Sequence, residues 1–292
     1  MARFVDLTLN GVSNGMIYAA VALSLVLIWR ATRIVNFAQG GMLMITTFIA
    51  SSVIGSSGSY WLGFAVALAS GLVLGAVVER LLIRRVADGP ALNAVIVALG
   101  LLVLLQALAG MIWGGTPRSF EPAFSIRGYF IGGRHVLFGP MDSFTVLAVL
   151  GVAVLLWLLF QRTSIGLQMR ASAFAPAVAR LQGVRVGNML TLGWALAALC
   201  GSLAGLLVAP AVFVGPNNFD PILVFGFTAA VIGGLDSPVG GVIGGLVLGL
   251  VLSYVAGYWG SAMVNLSALF VLIAVLMVRP EGLFATRAAR RI

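Results

Sequence analysis

The sequence predicts an all-α, polytopic integral membrane protein of eight to nine transmembrane helices, with a short or broken helix near 222–239. Three observations lead there. The chain is 61% apolar and only 9% charged, with mean hydropathy +1.12, whereas soluble domains are about 25% charged. Its apolar residues gather in blocks close to the ~20 residues that a spanning helix needs. All seventeen basic residues are arginine, and most lie between the blocks. So few charges cannot make an ordinary water-facing surface, so lipid must be the main solvent. The net charge of +9 therefore reads as an orientation signal, and no nucleic-acid partner is expected.

The expected spans are 11–29, 35–54, 61–82, 92–113, 143–160, 189–208, 222–235, 239–257 and 263–278. The first has no basic cluster before it and no small-residue cleavage site, so it should remain as an anchor rather than be removed. Arg30 and Arg33 follow it. The second opens on a polar, glycine-rich stretch, Asn36-Phe37-Ala38-Gln39-Gly40-Gly41. The third carries Glu79 near its end, explained as an interfacial ion pair with Arg80, and Arg80, Arg84 and Arg85 form the arginine group there. The fourth leads into the loop 114–142, the longest non-apolar stretch, with Arg118, Arg127, Arg134, His135, Glu121 and Asp142. Within it, Y-F-I-G-G-R-H-V-L-F at 129–138 places two β-prone runs around Gly132-Gly133, a hairpin signal. The fifth span is followed by Arg162, Arg170, Arg180 and Arg185, and the last by Arg279, Arg287, Arg290 and Arg291.

Placing these four arginine groups in the cytoplasm fits nine crossings, with the N-terminus outside and the C-terminus inside. The loop 114–142 is then outside, as long loops cross with less regard for charge. The segment 222–235 is short and fits a half-helix, a re-entrant segment or a span completed by its neighbours. A re-entrant path would put the arginine-rich tail outside, so a crossing is expected. No internal repeat or linker divides the chain, and a single transmembrane domain over 1–292 is expected.

Glycines recur four apart at Gly201/Gly205, at Gly240/Gly244 and at Gly241/Gly245/Gly249. Such rows let helix backbones approach closely. Between 222–235 and 239–257, Gly233-Gly234 should end one helix, Asp236 or Ser237 should cap the next, and Pro238 suits its first turn. Cys200, inside an apolar stretch, reads as a small packing residue.

Much chemistry is excluded. A Walker A loop and a Schiff base both need lysine, and the chain has none. One histidine and one cysteine cannot build a His/Cys zinc site, and His135 has no nucleophile elbow beside it. No acid lies in the middle of a span, which argues against a proton relay. No metal and no cofactor of its own is expected. The uncharged polar residues within spans are Asn14, Asn36, Gln39, Thr46, Thr47, Asn93, Gln106, Thr228 and Asn265. In hydrocarbon each needs a partner or a wet cavity. Asn14, Asn36, Gln39, Thr46 and Thr47 are the candidates for a substrate path.

The inner loop 162–188 should carry an alanine-rich helix at about 172–182, with Ser172 as cap, Pro176 in the first turn and Gly183 as stop. Its small apolar residues suit a ridge inserted into a partner's groove, and an interfacial helix lying on lipid fits the same composition.

Together these stretches resemble the Liv-type permease subunits of branched-chain amino-acid ABC transporters. The matching segments are N-G-V-S-N-G-M-I-Y-A from Asn10, V-N-F-A-Q-G-G-M-L-M from Val35, I-G-L-Q-M-R-A-S-A from Ile165 through Gly183-Val184, F-T-A-A-V-I-G-G-L-D-S-P-V-G-G-V-I-G-G from Phe227 and R-P-E-G-L-F from Arg279. The resemblance implies an importer subunit in a bacterial plasma membrane, working beside a second permease, two ATP-binding subunits and an extracytoplasmic solute-binding protein. ATP and Mg would then sit on the partners. The family's coupling segment falls on Gly166, Arg170, Ala171, Ala173, Arg180 and Gly183. Gly233, Gly234, Asp236, Pro238, Gly240, Gly241, Gly244 and Gly245, by the spacing and turn chemistry given above, are the expected helix-packing and hinge residues. The cargo implied is a branched-chain or other hydrophobic amino acid; relatives also carry urea or short amides. Two positions depart from the family pattern. Gln39 and Gly41 stand where a histidine and an acid are usual, and Phe174-Ala175 replace an acidic pair, so docking would rest on shape more than charge. An ion-coupled secondary carrier is the competing reading.

Overall fold

The computed structural model describes residues 2–86, 89–131, 133–279 and 281–284. Asp88, Gly132, Arg287, Arg290 and Arg291 therefore lie outside the described residues. The order is α1 (Ala2–Thr32), α2 (Gln39–Ser57), α3 (Tyr60–Val78), a π turn (Glu79–Ile83), α4 (Arg84–Val86), α5 (Ala91–Trp113), β1 (Phe130–Ile131), β2 (Arg134–His135), α6 (Pro140–Arg162), α7 (Ser164–Phe174), α8 (Pro176–Leu181), α9 (Val186–Val212), α10 (Asp220–Gly233), α11 (Pro238–Tyr258) and α12 (Met263–Val278). Among the described residues, seven helical stretches are long and apolar enough to cross a membrane, counting Tyr60–Val86 as one; α10 and α12 are shorter apolar helices.

Contacts sort the helix ends onto two faces. On one face the Arg3 guanidinium donates to the Gly257 carbonyl, and Phe4 stacks on Tyr254 at 5.4 Å, joining the start of α1 to the end of α11. There too Arg118 and Val214 exchange two backbone hydrogen bonds (2.9 and 2.8 Å), tying the long loop to the segment before α10. On the other face Arg33 pairs with Asp236, joining the end of α1 to the α10–α11 turn. The amides of Leu283 and Phe284 donate to the carbonyls of Ile232 and Gly233 on that same face (2.8 and 3.2 Å). Thus α10 runs from one face to the other. Its 14 residues span about 21 Å, short of a ~30 Å hydrocarbon layer, and the segment 213–219 covers the rest. With α10 a crossing, nine apolar helices among the described residues alternate between the faces. Ten described arginines (Arg30, Arg33, Arg80, Arg84, Arg85, Arg162, Arg170, Arg180, Arg185, Arg279) lie towards the second face, and four (Arg3, Arg118, Arg127, Arg134) towards the first. The second is called the inner face below, following the arginine bias.

Helix α1 is the centre of the bundle: its spanning window is 89% buried, against 22% for α5 and for α6. It begins at Ala2, nine residues before the span expected at 11–29, because its polar first turns find partners on α11. The Thr8 hydroxyl bonds the Tyr254 hydroxyl at 2.8 Å, and the Ser253 hydroxyl donates to the Leu7 carbonyl at 2.6 Å. Helix α9 is the second central element, packed on α1, α2 and α3.

The glycine rows of α11 face two different neighbours. A Cβ on Gly245 would lie 2.6 Å from the Ala19 nitrogen, and one on Gly249 would overlap Gly15, both on α1. A Cβ on Gly240 or Gly244 would overlap the backbone of α10 at Gly233 or Ala229. So α11 is pressed backbone-to-backbone between α1 and α10, as small-residue rows permit. Gly241 has slack, its nearest neighbour being a Val26 methyl at 3.5 Å.

The outer hairpin forms as read. Phe130 pairs with His135 and Ile131 with Arg134, and Gly133 takes φ +83°. Between α3, the long loop and the start of α6, Tyr60, Trp61, Phe64, Phe120, Phe124 and Phe144 make a continuous cluster of ring contacts. An aromatic girdle of this kind is usual at a membrane–water boundary.

Candidate functional site

The approach to α2 is a break in regular helix that runs back into the bundle. Arg33 adopts φ +58° and closes α1, its amide bonding the Trp29 carbonyl at 2.7 Å. Residues 34–38 then return into the protein, with Ile34, Asn36 and Ala38 buried. The Asn36 carbonyl side chain accepts from the Ala38 amide (3.0 Å), and its NH2 donates to Gln39 Oε1 (3.3 Å). Gln39 Nε2 in turn donates to the Ala197 carbonyl of α9 (3.2 Å). Ala197 lies eleven residues into α9, about 16 Å from its inner end. Non-helical backbone inside a membrane bundle persists only when buried in protein or facing a wet cavity, and here it is buried.

Two glycines make this possible. A Cβ on Gly201 would overlap Gln39 Nε2, and one on Gly205 would overlap the Thr47 hydroxyl. The Gly201/Gly205 row is thus the groove that receives α2. Thr46 and Thr47 are buried, and both hydroxyls donate to the Leu43 carbonyl (2.9 and 2.7 Å). The structure therefore brings Asn36 and Gln39 into one amide chain and strings Thr46 and Thr47 along the same helix. Asn14 is elsewhere: half-buried on α1, it donates to Asn10 Oδ1 at 2.8 Å. Gln106 donates to Asp220 (2.9 Å), joining α5 to the start of α10.

At the inner face the loop after α6 differs from the single helix expected at 172–182. It forms α7 and α8, broken at Ala175 (φ −142°, ψ 74°). Pro176 is the cause: it lacks an N–H and disfavours helical backbone in the residue before it, so it can only restart a helix. Thr163, not Ser172, is the cap, its hydroxyl accepting from the Gly166 amide at 3.1 Å. Ser172 is buried in the last turns of α7. Gly166 sits against the end of α6, where a Cβ would lie 2.6 Å from Phe160 Cα, so only glycine permits this sharp turn. Gly183 stops α8 as expected, at φ +81°, with the Val184 amide returning to the Ala179 carbonyl. Arg170 donates to Gln161 (3.3 Å); Ala171 and Ala173 are half-buried, and Arg180 and Gly183 are exposed.

The pair exposes large apolar side chains. Phe174 is 89% exposed, Leu181 88% and Val178 53%. These three were missed as a set. Val178 and Leu181, three apart on α8, carry a helical-face signal, whereas Phe174 ends α7 across the break at Ala175, so no regular spacing in the sequence ties it to them.

Two further ties fix the inner face. Glu79, expected to pair with Arg80, pairs with Arg84 instead (Nε–Oε1 3.0 Å, Nη2–Oε2 2.8 Å) and accepts from Thr191 (2.7 Å). The π turn is the physical reason, because it widens the ring and brings residue i+5 over residue i. Arg84 also donates to the Gly187 carbonyl, locking α4 to the start of α9. At the α10–α11 turn, Gly234 takes φ +93° and Ser237, not Asp236, is the cap, accepting from the Gly240 amide at 3.0 Å. Pro238 opens α11, and Asp236 is free to hold Arg33. Gly282, at φ +84°, lies directly against Gly234, where a side chain would not fit.

Comparison with known proteins fits this geometry. Residues 7–278 match the family described as branched-chain amino acid transport system, permease component. The chain is 28% identical over 299 residues to the high-affinity branched-chain amino acid transport system permease protein LivH of Escherichia coli K12, covering 96% of this chain and 95% of that one. It is 26% identical over 295 residues to the permease protein BraD of Pseudomonas aeruginosa, with the same coverage. Among solved structures, PsaBC from Streptococcus pneumoniae in complex with Fab aligns with TM-score 0.52 at 14% identity, covering 93% of this chain and 91% of that one. That last likeness concerns the fold alone.

Proposed function

We propose, for a chain that belongs to the permease-component family of branched-chain amino acid transport systems, that it is one membrane half of an ATP-driven importer. It is a multi-pass membrane protein, which we assign to the bacterial plasma membrane. Its companions are a second permease, two ATP-binding subunits and an extracytoplasmic solute-binding protein, with ATP and Mg held by the companions.

One observation carries the reading: the exposed apolar side chains of Phe174, Val178 and Leu181 on the inner-face pair α7–α8. Apolar side chains so exposed beside a charged loop mark a protein-binding surface. The α7–α8 pair is joined to α6 by the tight Gly166 turn and packs on α9 and α1. A push on it is therefore passed to the central helices rather than absorbed by a slack linker. ATP-dependent movement of the partners would shift a two-state bundle between openings to either face.

Asn36 and Gln39 lie at the buried N-terminal end of α2. Such an end carries partial positive charge and suits the carboxylate of a zwitterionic cargo, as in transporters with broken helices. The apolar surroundings of Met42, Leu43 and Met44 suit an aliphatic side chain. Branched-chain or other hydrophobic amino acids are therefore the proposed cargo.

The test is uptake of labelled leucine by sealed vesicles holding the assembled transporter, with the binding protein on the outer side. ATP on the inner side should drive accumulation that persists after an ionophore collapses all ion gradients. Uptake that needs an ion gradient and ignores ATP would establish the secondary-carrier reading instead.

A further inference from the structure

We propose that the inner ends of α1, α6 and α7 hold the headgroup of one acidic phospholipid, with an acyl chain laid in the adjoining trough between α1, α6 and α11. Two cavities meet here. The first, about 340 Å³, is lined by Arg30, Arg33 and Arg170, with Ser172 and Met169 of α7. The second, about 510 Å³, continues from it through Leu27, Arg30 and Phe160, which line both.

The first cavity is built for an anion. The two cavities together are lined by three arginines and one acid, Asp236, which is already paired with Arg33. The charges acting on Arg30 are Asp236, Arg170 and Arg33; with Asp236 taken by Arg33, Arg30 and Arg170 themselves remain unmatched. Two polar atoms point the same way: Arg170 Nε and Ser172 Oγ are buried without a hydrogen-bond partner among the described residues. Ser172 as a whole is 3% exposed. An unmet buried donor beside unmatched guanidinium groups is costly unless an anion accepts from it.

The second cavity decides which anion. Leu150, Val154 and Trp157 line it from α6, and Val242 and Ile243 from α11. From Gln161 to Leu150 is eleven residues of α6, a depth of about 16 Å, close to half of the ~30 Å hydrocarbon layer. A basic pocket continuous with a one-leaflet apolar trough matches an anionic amphiphile. An acidic side chain of a soluble partner could reach the arginines but would leave the trough unfilled. The site needs only that these helix ends lie at a membrane surface, and it does not depend on the cargo proposed above. Because Arg170 and Ser172 belong to α7, a bound headgroup would brace the docking helix from behind.

The experiment uses the assembled transporter in nanodiscs of mixed zwitterionic and acidic phospholipid, then detergent extraction and mass spectrometry of retained lipid. The wild-type should retain the acidic lipid in preference, and Arg30→Gln should lower that retention about fivefold, with Arg30→Gln plus Arg170→Gln about 25-fold. Val154→Trp, which fills the trough and leaves the charges intact, should lower it too, and millimolar inorganic phosphate should not displace it. Equal retention of both lipids, or no effect of Arg30→Gln and Val154→Trp, would overturn the site. Displacement by phosphate would make it a free-anion site. Loss of the lipid whenever the ATP-binding subunits are attached would assign the arginines to a protein carboxylate, and the lipid proposal would fall.

Discussion

Replacing Phe174 and Leu181 together with alanine should uncouple this permease from its ATP-binding partners while leaving its own fold intact. Phe174 is 89% and Leu181 88% exposed, so nearly all of their apolar surface is available for burial on docking. Full burial of a phenylalanine or leucine side chain is worth about 1.5–3 kcal/mol. Removing both should cost the complex roughly 3–5 kcal/mol, a loss of about a hundredfold or more in affinity. The chain itself should unfold at an unchanged temperature, because neither side chain packs in its interior. The assay is co-purification of the ATP-binding subunits across a dilution series, paired with ATP-driven uptake. Wild-type assembly and uptake in the double variant would refute the reasoning, because no docking surface survives the loss of its two most exposed apolar groups without consequence.

Other expectations test the packing. Gly245→Ala should destabilise the bundle by about 1–3 kcal/mol, because its Cβ would meet the Ala19 backbone; Gly241→Ala, whose Cβ would sit in ordinary van der Waals contact with Val26 and Ala22, should not, and equal melting losses in the two would contradict the two-faced account of α11. Gly201→Ala should push the Gln39 amide off the Ala197 carbonyl and cost about 1–3 kcal/mol for an unmet buried amide, read as a lower melting temperature; an unchanged melting temperature would mean that Gly201 does not hold Gln39. Glu79→Ala should cost about 1–2 kcal/mol in thermal unfolding, below the ~3–5 kcal/mol of a fully buried pair, because Arg84 is 42% exposed and can turn to water. A loss as small as that of a surface pair would show that the π-turn clamp is idle.

The spans were legible because lipid imposes a length and an apolarity that a sequence displays directly. Caps and stops such as Gly183 and Pro238 were legible because they depend on a few neighbouring residues. The partner of Glu79 was not, because a π turn shifts the register by one residue and nothing in E-R-L-L-I-R marks it. The break at Ala175 was within reach: Pro176 was noted, but its effect on the residue before it outweighed the helix propensity of the alanines. The two glycine rows of α11 were visible as spacings, whereas their separate assignment to α1 and α10 is a property of the packed bundle. Of the polar candidates, Asn36 and Gln39 are joined because Gly201 leaves room for an amide. Asn14 belongs to a separate local bond on α1 that no spacing distinguishes.

The most direct measurement is the reactivity of a single cysteine placed at Val178, with buried Cys200 replaced by alanine, towards a membrane-impermeant maleimide applied to the inner side. In the permease without ATP-binding subunits the thiol should react freely, as its half-exposed position requires. In the assembled transporter it should be shielded, and the shielding should change through the ATP cycle. A thiol that reacts equally fast with and without the ATP-binding subunits would mean that energy does not enter through α7 and α8.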